Sequence, residues 1–101
     1  MPESEGLRLG RAAVARIFSD EAKLREFLKQ VRDLRFNPET CQFRQIESVV
    51  RELCPPAGAT ARGRPIVVTY QDLPDNEDEV LEQFFRQHVN EAKRKHPNHF
   101  N

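Results

Sequence analysis

The basic residues that follow position 24 have the spacing of a phosphate-contacting helix. Arg25, Lys29 and Arg32 are separated by four and then three residues, so a helix would present them along one face. Such a stripe can contact the phosphates of a nucleic acid. The alternative is an ordinary solvated face, because Glu21 precedes Arg25 by four residues and can pair with it. We favour the solvated face and keep nucleic-acid contact as the second hypothesis.

A helix-turn-helix pair is the form that nucleic-acid binding would take. Two helices are predicted across residues 20–53, and the second would direct four polar side chains toward the bases: Gln42, Arg44, Gln45 and Ser48. The charge balance of the chain opposes this hypothesis, since 16 Lys and Arg residues stand against 16 Asp and Glu residues in a total of 101. The alternative function is therefore a small nucleic-acid-binding regulator. Its binding residues would be Arg25, Lys29, Arg32 and Arg44.

The histidine and cysteine spacings indicate neither a metal site nor a catalytic site. His96 and His99 could chelate a metal, but further ligands are lacking near them. Cys41 and Cys54 lie near opposite ends of one predicted helix, about 20 Å apart, which is too far for a disulfide. We expect reduced, partly buried thiols. Because a nucleophile with a neighbouring base and a phosphate-binding loop are also missing, we predict a non-enzymatic chain without metal or cofactor.

Apolar residues recur at helical spacing in four segments of the chain. The predicted helices cover residues 7–18, 20–34, 38–53 and 76–95. Ser19 is expected to cap the second helix, and Asn37 with Pro38 is expected to begin the third. The fourth helix is expected to pack its apolar stripe against the second and third. That stripe includes Leu81, Phe84, Phe85, His88 and Val89.

One segment has the composition of a β-strand. It follows a loop rich in glycine and proline, and its residues are all β-branched or aromatic: Ile66, Val67, Val68, Thr69 and Tyr70. We therefore predict a predominantly helical α+β domain with about four helices and one or two short strands. A lone strand leaves backbone groups unpaired. Its partner could be an internal segment, the same strand of a second copy, or an extended peptide of another protein.

The expected organisation is a disordered N-terminus at 1–6, one globular domain at 7–96 and a C-terminal tail at 97–101. The acidic N-terminus lacks the apolar core of a signal peptide, and no run approaches the roughly 20 apolar residues of a membrane span, so we expect a cytoplasmic protein without membrane contact. The leading hypothesis is a non-enzymatic protein-protein interaction module, an adaptor or regulatory subunit, which could dimerise through the strand at 66–70. The partner-binding residues would be Arg62, Arg64, Ile66, Val67, Val68, Thr69 and Tyr70.

Overall fold

Helices make up most of the described chain. The computed structural model describes residues 4–54, 60–61, 64–65 and 73–100. The helices are α1 (Glu5–Ser19), α2 (Glu21–Asp33), α3 (Phe43–Leu53) and α4 (Asp75–Lys95), and a C-terminal 3-10 helix (Pro97–Phe100) follows α4. None of the described helices combines the length and the apolar character needed to cross a membrane.

The predicted α+β class is wrong, because the described chain forms a small all-helical bundle. Two segments, β1 (Thr60–Ala61) and β2 (Arg64–Pro65), pair antiparallel over two residues each. A ladder this short supplies neither the hydrogen bonds nor the apolar face of a sheet layer. The apolar stripes of the helices cover one another instead, so the core needs no sheet. The predicted strand at 66–70 lies outside the described residues.

The centre of the core is a cluster of aromatic rings around α4. The Phe85 ring lies 6.2 Å from Phe18 of α1, 6.0 Å from Phe27 of α2 and 5.4 Å from Phe43 of α3, measured between centroids. All three contacts are edge-to-face, the arrangement that aromatic quadrupoles favour. Phe27, Phe43 and Phe85 are fully buried. One side chain of α4 therefore links all four helices.

The most extensive contact of α4 is not with the helices predicted to be its neighbours. α4 packs most extensively against α1 rather than against α2 and α3. The two helices run parallel, since Ser4 hydrogen bonds to Glu77 near their N-terminal ends and Phe18 contacts His88 farther along. Phe85 contacts α2 and α3, and Glu82 of α4 accepts a hydrogen bond from the Phe43 N–H of α3. His88, which was predicted to belong to the apolar stripe of α4, is partly buried with its ring against Phe18 and Phe84.

Asp20 caps α2, although Ser19 was predicted to do so. The Asp20 carboxylate accepts hydrogen bonds from the backbone N–H groups of Ala22 and Lys23, at 3.0 and 3.2 Å. Ser19 instead ends α1, and its hydroxyl donates to the Arg16 carbonyl at 3.1 Å. The aspartate also places a negative charge at the positive end of the helix dipole.

A Schellman motif ends α2. The N–H of Arg35 donates to the Arg32 carbonyl at 2.8 Å, and the N–H of Phe36 donates to the Val31 carbonyl at 3.1 Å. This motif requires a left-handed residue at the position of Arg35, where glycine is usual, and Arg35 has a φ of 68°. The chain thus leaves α2 sharply, and Phe36 packs against the core.

α3 begins at Phe43, and the predicted start at Pro38 is wrong. The Asn37 side chain accepts a hydrogen bond from the Glu39 N–H at 2.9 Å, and the Asn37 carbonyl accepts one from the Cys41 N–H at 2.8 Å. Asn37 therefore caps a turn instead of a helix. At the true start, the Gln45 side chain accepts from the Gln42 N–H, and Glu82 of α4 accepts from the Phe43 N–H at 2.8 Å.

Candidate binding site

The basic stripe of α2 borders an open cavity that the C-terminal 3-10 helix also lines. The volume of this cavity is about 210 Å³. It is lined by Arg25, Leu28, Lys29, Arg32, Asn98 and His99. We call it the α2 cation pocket and define it by Arg25, Lys29, Arg32 and His99. The structure thus brings together three residues that the sequence had placed on one helix face and one that it had assigned to a tail.

Arg32 attaches the 3-10 helix to α2. Its guanidinium donates a hydrogen bond to the His99 carbonyl at 2.6 Å, and Phe100 packs against the core. A guanidinium carries five N–H donors, and this bond uses one of them. Arg32 is exposed, so the remaining donors are available at the wall of the pocket.

Positive charge exceeds negative charge in the pocket. One oxygen of Glu21 lies 3.0 Å from the Arg25 guanidinium and 3.7 Å from Nε2 of His99. Lys29 and Arg32 have no carboxylate within ion-pair distance among the described residues. Three cations, Arg25, Lys29 and Arg32, therefore face one carboxylate, which leaves a net charge of about +2 apart from His99.

His99 forms part of the pocket wall. Its Nδ1 atom is buried and has no hydrogen-bond partner within the described chain. The ring stacks on His96, with centroids 5.0 Å apart and planes 11° apart. Because Nδ1 is closed to solvent, it is not an atom that a ligand in the pocket can reach.

Arg44 lies apart from the three other cations of the nucleic-acid hypothesis. Its Nε donates to Asp78, in the first turn of α4, at 3.0 Å. Residues 34–42 separate α2 from α3, which is longer than the three- or four-residue turn of a helix-turn-helix motif. Gln42, Gln45 and Ser48 are exposed, but the connection between the two helices is longer than the motif uses.

The predicted partner-binding residues fall almost entirely outside the described residues. These are Arg62, Ile66, Val67, Val68, Thr69 and Tyr70. Arg64 belongs to β2, where its backbone is paired with Ala61. Docking through residues 66–70 therefore stays a prediction.

The remaining titratable groups of the described chain offer less for binding. Cys41 and Cys54 are both buried, and burial raises the pKa of the Cys41 thiol because the thiolate would lose its solvation. No three of the described His, Cys, Asp and Glu side chains are arranged to hold a metal ion.

A second cavity, of about 370 Å³, lies between α1 and α4. Its wall includes His88, whose Nδ1 is held at the Phe84 carbonyl, 2.9 Å away.

No protein-family model, curated sequence or solved structure matches the chain. The function is therefore inferred from the geometry of the described residues.

Sequence analysis identified Arg25, Lys29 and Arg32 but missed His99. A signal was present, since Pro97 suits the first position of a helical turn and could have marked residues 97–100 as structured.

Proposed function

We propose that this chain is a non-enzymatic protein-interaction module that holds an acidic segment of a partner protein in the α2 cation pocket. The observation that carries the proposal is the convergence of Arg25, Lys29 and Arg32 with the 3-10 helix around one cavity. A cytoplasmic adaptor or regulatory subunit is the form of this function that we propose.

The charge pattern of the rest of the bundle supports this assignment. Many other cations are neutralised within the fold, as in the pairs Arg86–Glu82 and Lys93–Glu39. Lys29 forms no ion pair among the described residues, so an incoming carboxylate would break no existing bond there. The chain carries no net charge, and attraction for an acidic partner must therefore be local to the pocket.

A nucleic-acid-binding regulator is the second candidate. The same three exposed cations favour it, because phosphate contacts could use all of them. Its weakness is the position of Arg44, which is paired with Asp78. Self-association through residues 66–70 is compatible with either function and stays a prediction.

The proposal is tested by titrating the full chain into a fluorescently labelled, capped peptide of alternating glutamate and alanine, with fluorescence anisotropy as the readout. The pocket variant changes Arg25, Lys29 and Arg32 to Gln. The control variant also removes three cations, Arg16, Arg94 and Lys95, each changed to Gln. The two variants have the same net charge and lose it at different places. Each also removes side-chain bonds, the Arg32 bond to the His99 carbonyl in the pocket variant and the Arg94 and Lys95 pairs with Glu91 in the control.

We expect the wild-type chain and the control variant to bind the acidic peptide with Kd values within about twofold of each other, and the pocket variant to bind at least about tenfold more weakly. Equal weakening in both variants would contradict the proposal, because binding would then follow total charge. A single-stranded oligonucleotide that binds more tightly than the peptide, with an affinity falling steeply as salt is added, would favour the second candidate.

A further inference from the structure

We propose that the α2 cation pocket selects a phosphate monoester on the partner segment, as in phosphoserine or phosphothreonine, over a plain carboxylate. This inference rests on the proposed function and identifies the group that the pocket holds. Three properties of the pocket support it: its net charge, the directions from which its donors come, and its size.

The charge of the pocket matches a dianion better than a monoanion. Arg25, Lys29 and Arg32 supply three positive charges, and Glu21 removes one of them by pairing with Arg25. A phosphate monoester carries about −1.5 to −2 charges at neutral pH, whereas a carboxylate carries one. A carboxylate would leave part of the positive charge uncompensated, while a phosphate would neutralise it.

The donors reach the cavity from two different elements. Lys29 and Arg32 come from α2, and Asn98 comes from the 3-10 helix. The Lys29 ammonium has three N–H donors, Arg32 retains donors beyond the one bonded to His99, and the exposed Asn98 side-chain amide has two. A phosphate monoester has three terminal oxygens to meet donors from several directions. A carboxylate has two oxygens in one plane.

The size and shape of the pocket favour a single phosphate over a polynucleotide. Its volume of about 210 Å³ can accept a phosphate group with the side chain that carries it. Proteins that bind single strands use a groove that follows several successive phosphates. Here Arg25, Lys29 and Arg32 line one cavity along a single face of α2, and Arg44 is bonded to Asp78 instead.

The test uses nuclear magnetic resonance of the isotope-labelled full chain, because backbone amide shifts report both affinity and location. The probes are a capped alanine heptapeptide with one central phosphoserine, the same peptide with glutamate or serine at the centre, inorganic phosphate, and a single-stranded DNA oligonucleotide. The variant is Lys29→Met. Arg16→Met is the control, because Arg16 is also an exposed helix cation without an ion-pair partner in the described chain.

We expect saturable shifts at residues 25–32 and 98–99, with the phosphoserine peptide binding at least about tenfold more tightly than the glutamate peptide and more tightly than inorganic phosphate. Lys29→Met should weaken phosphoserine binding about tenfold, and Arg16→Met should change it less than twofold.

The other outcomes separate this inference from the proposed function. Equal binding of the glutamate and phosphoserine peptides, both dependent on Lys29, would overturn the inference and leave the proposed function intact. Inorganic phosphate binding as tightly as the phosphopeptide would also overturn the inference, because the pocket would then serve a free anion. Failure of every peptide to bind would overturn both. Tighter, strongly salt-dependent binding of the oligonucleotide would overturn both in favour of nucleic acid.

Discussion

A single carboxylate ties the N-terminal ends of α1 and α4 together. The backbone N–H of Ser4 donates to one oxygen of Glu77 at 3.0 Å, and the Ser4 hydroxyl donates to the other. The same hydroxyl oxygen accepts from the Leu7 N–H at 3.2 Å and so caps α1. These hydrogen bonds favour the charged carboxylate, and they lower the pKa of Glu77 below its usual value of 4.5.

We predict that Glu77→Gln removes a pH-dependent contribution to the free energy of unfolding. A lowered pKa in the folded state means that ionised Glu77 contributes its full stabilisation above the unfolded-state pKa, near 4.5. That contribution disappears as the pH falls below this value and through the folded-state pKa. The variant should thus be less stable than wild type at about pH 7, and the difference should shrink at about pH 3.

Urea unfolding at both pH values measures this difference. Glu79→Gln is the matched control, because Glu79 is an exposed carboxylate in the same turn of α4. A destabilisation by Glu77→Gln that is the same at both pH values would show that the carboxylate charge is not what joins the two helices.

Side-chain spacing alone could identify some residues of the candidate pocket but not all of them. The positions of Arg25, Lys29 and Arg32 within a clear helical pattern were enough to place them on one face. His99 could not be connected to them, because its contact with Arg32 spans 67 positions of sequence. Local periodicity contains no information about a contact of that range.

At the scale of elements, two adjacent phenylalanines of α4 divide between core and surface. Phe85 is fully buried at the centre of the aromatic cluster. Phe84 is only partly buried, with its ring 4.4 Å from that of His88 and beneath the Arg11 guanidinium at 6.0 Å. Sequence analysis assigned both rings to the stripe facing α2 and α3, but successive residues on a helix point about 100° apart.

We predict that Phe85→Ala lowers the free energy of unfolding by about 3 to 5 kcal/mol, because it leaves a cavity where all four helices meet. Phe84→Ala, the matched change one position earlier, should cost about 1 to 2 kcal/mol, since its ring is only partly removed from water. Urea titration of both variants gives the comparison. Similar losses in the two variants would mean that the core is not centred on Phe85.

Helix positions followed from the sequence more reliably than helix ends. The four apolar stripes were sufficient to locate α1, α2, α3 and α4 because each repeats over several turns. The start of α3 was misplaced because Asn37 and Pro38 have the same residue types at a turn as at a helix start. The actual start uses Glu82, which comes from α4 and accepts the Phe43 N–H, so no local signal could reveal it.

For the whole molecule, the fold class was mispredicted because strand propensity depends on what surrounds the segment. The composition of residues 66–70 suggested a sheet layer, whereas the described core is made by helices alone. The sequence also did not reveal that α1 and α4 are parallel. That arrangement depends on contacts between residues far apart in the sequence, such as Ser4 with Glu77. The same arrangement carries the 3-10 helix back to α2, where it completes the pocket.

The most direct test of the α2 cation pocket is the Kd of the labelled glutamate-alanine peptide for Glu21→Gln relative to wild type. The Glu21 carboxylate forms an ion pair with the Arg25 guanidinium and lies near His99, so it competes with any anionic ligand for these groups. Glu26→Gln is the matched control, because it removes the same charge from the same helix while its partner is Gln30.

We predict that Glu21→Gln binds the peptide about three- to tenfold more tightly than wild type, since one repulsive charge leaves the pocket and the Arg25 guanidinium loses its carboxylate partner. Glu26→Gln should stay within about twofold of wild type. Equal tightening in both variants, or none in Glu21→Gln, would contradict the claim that an anionic partner segment binds between α2 and the 3-10 helix.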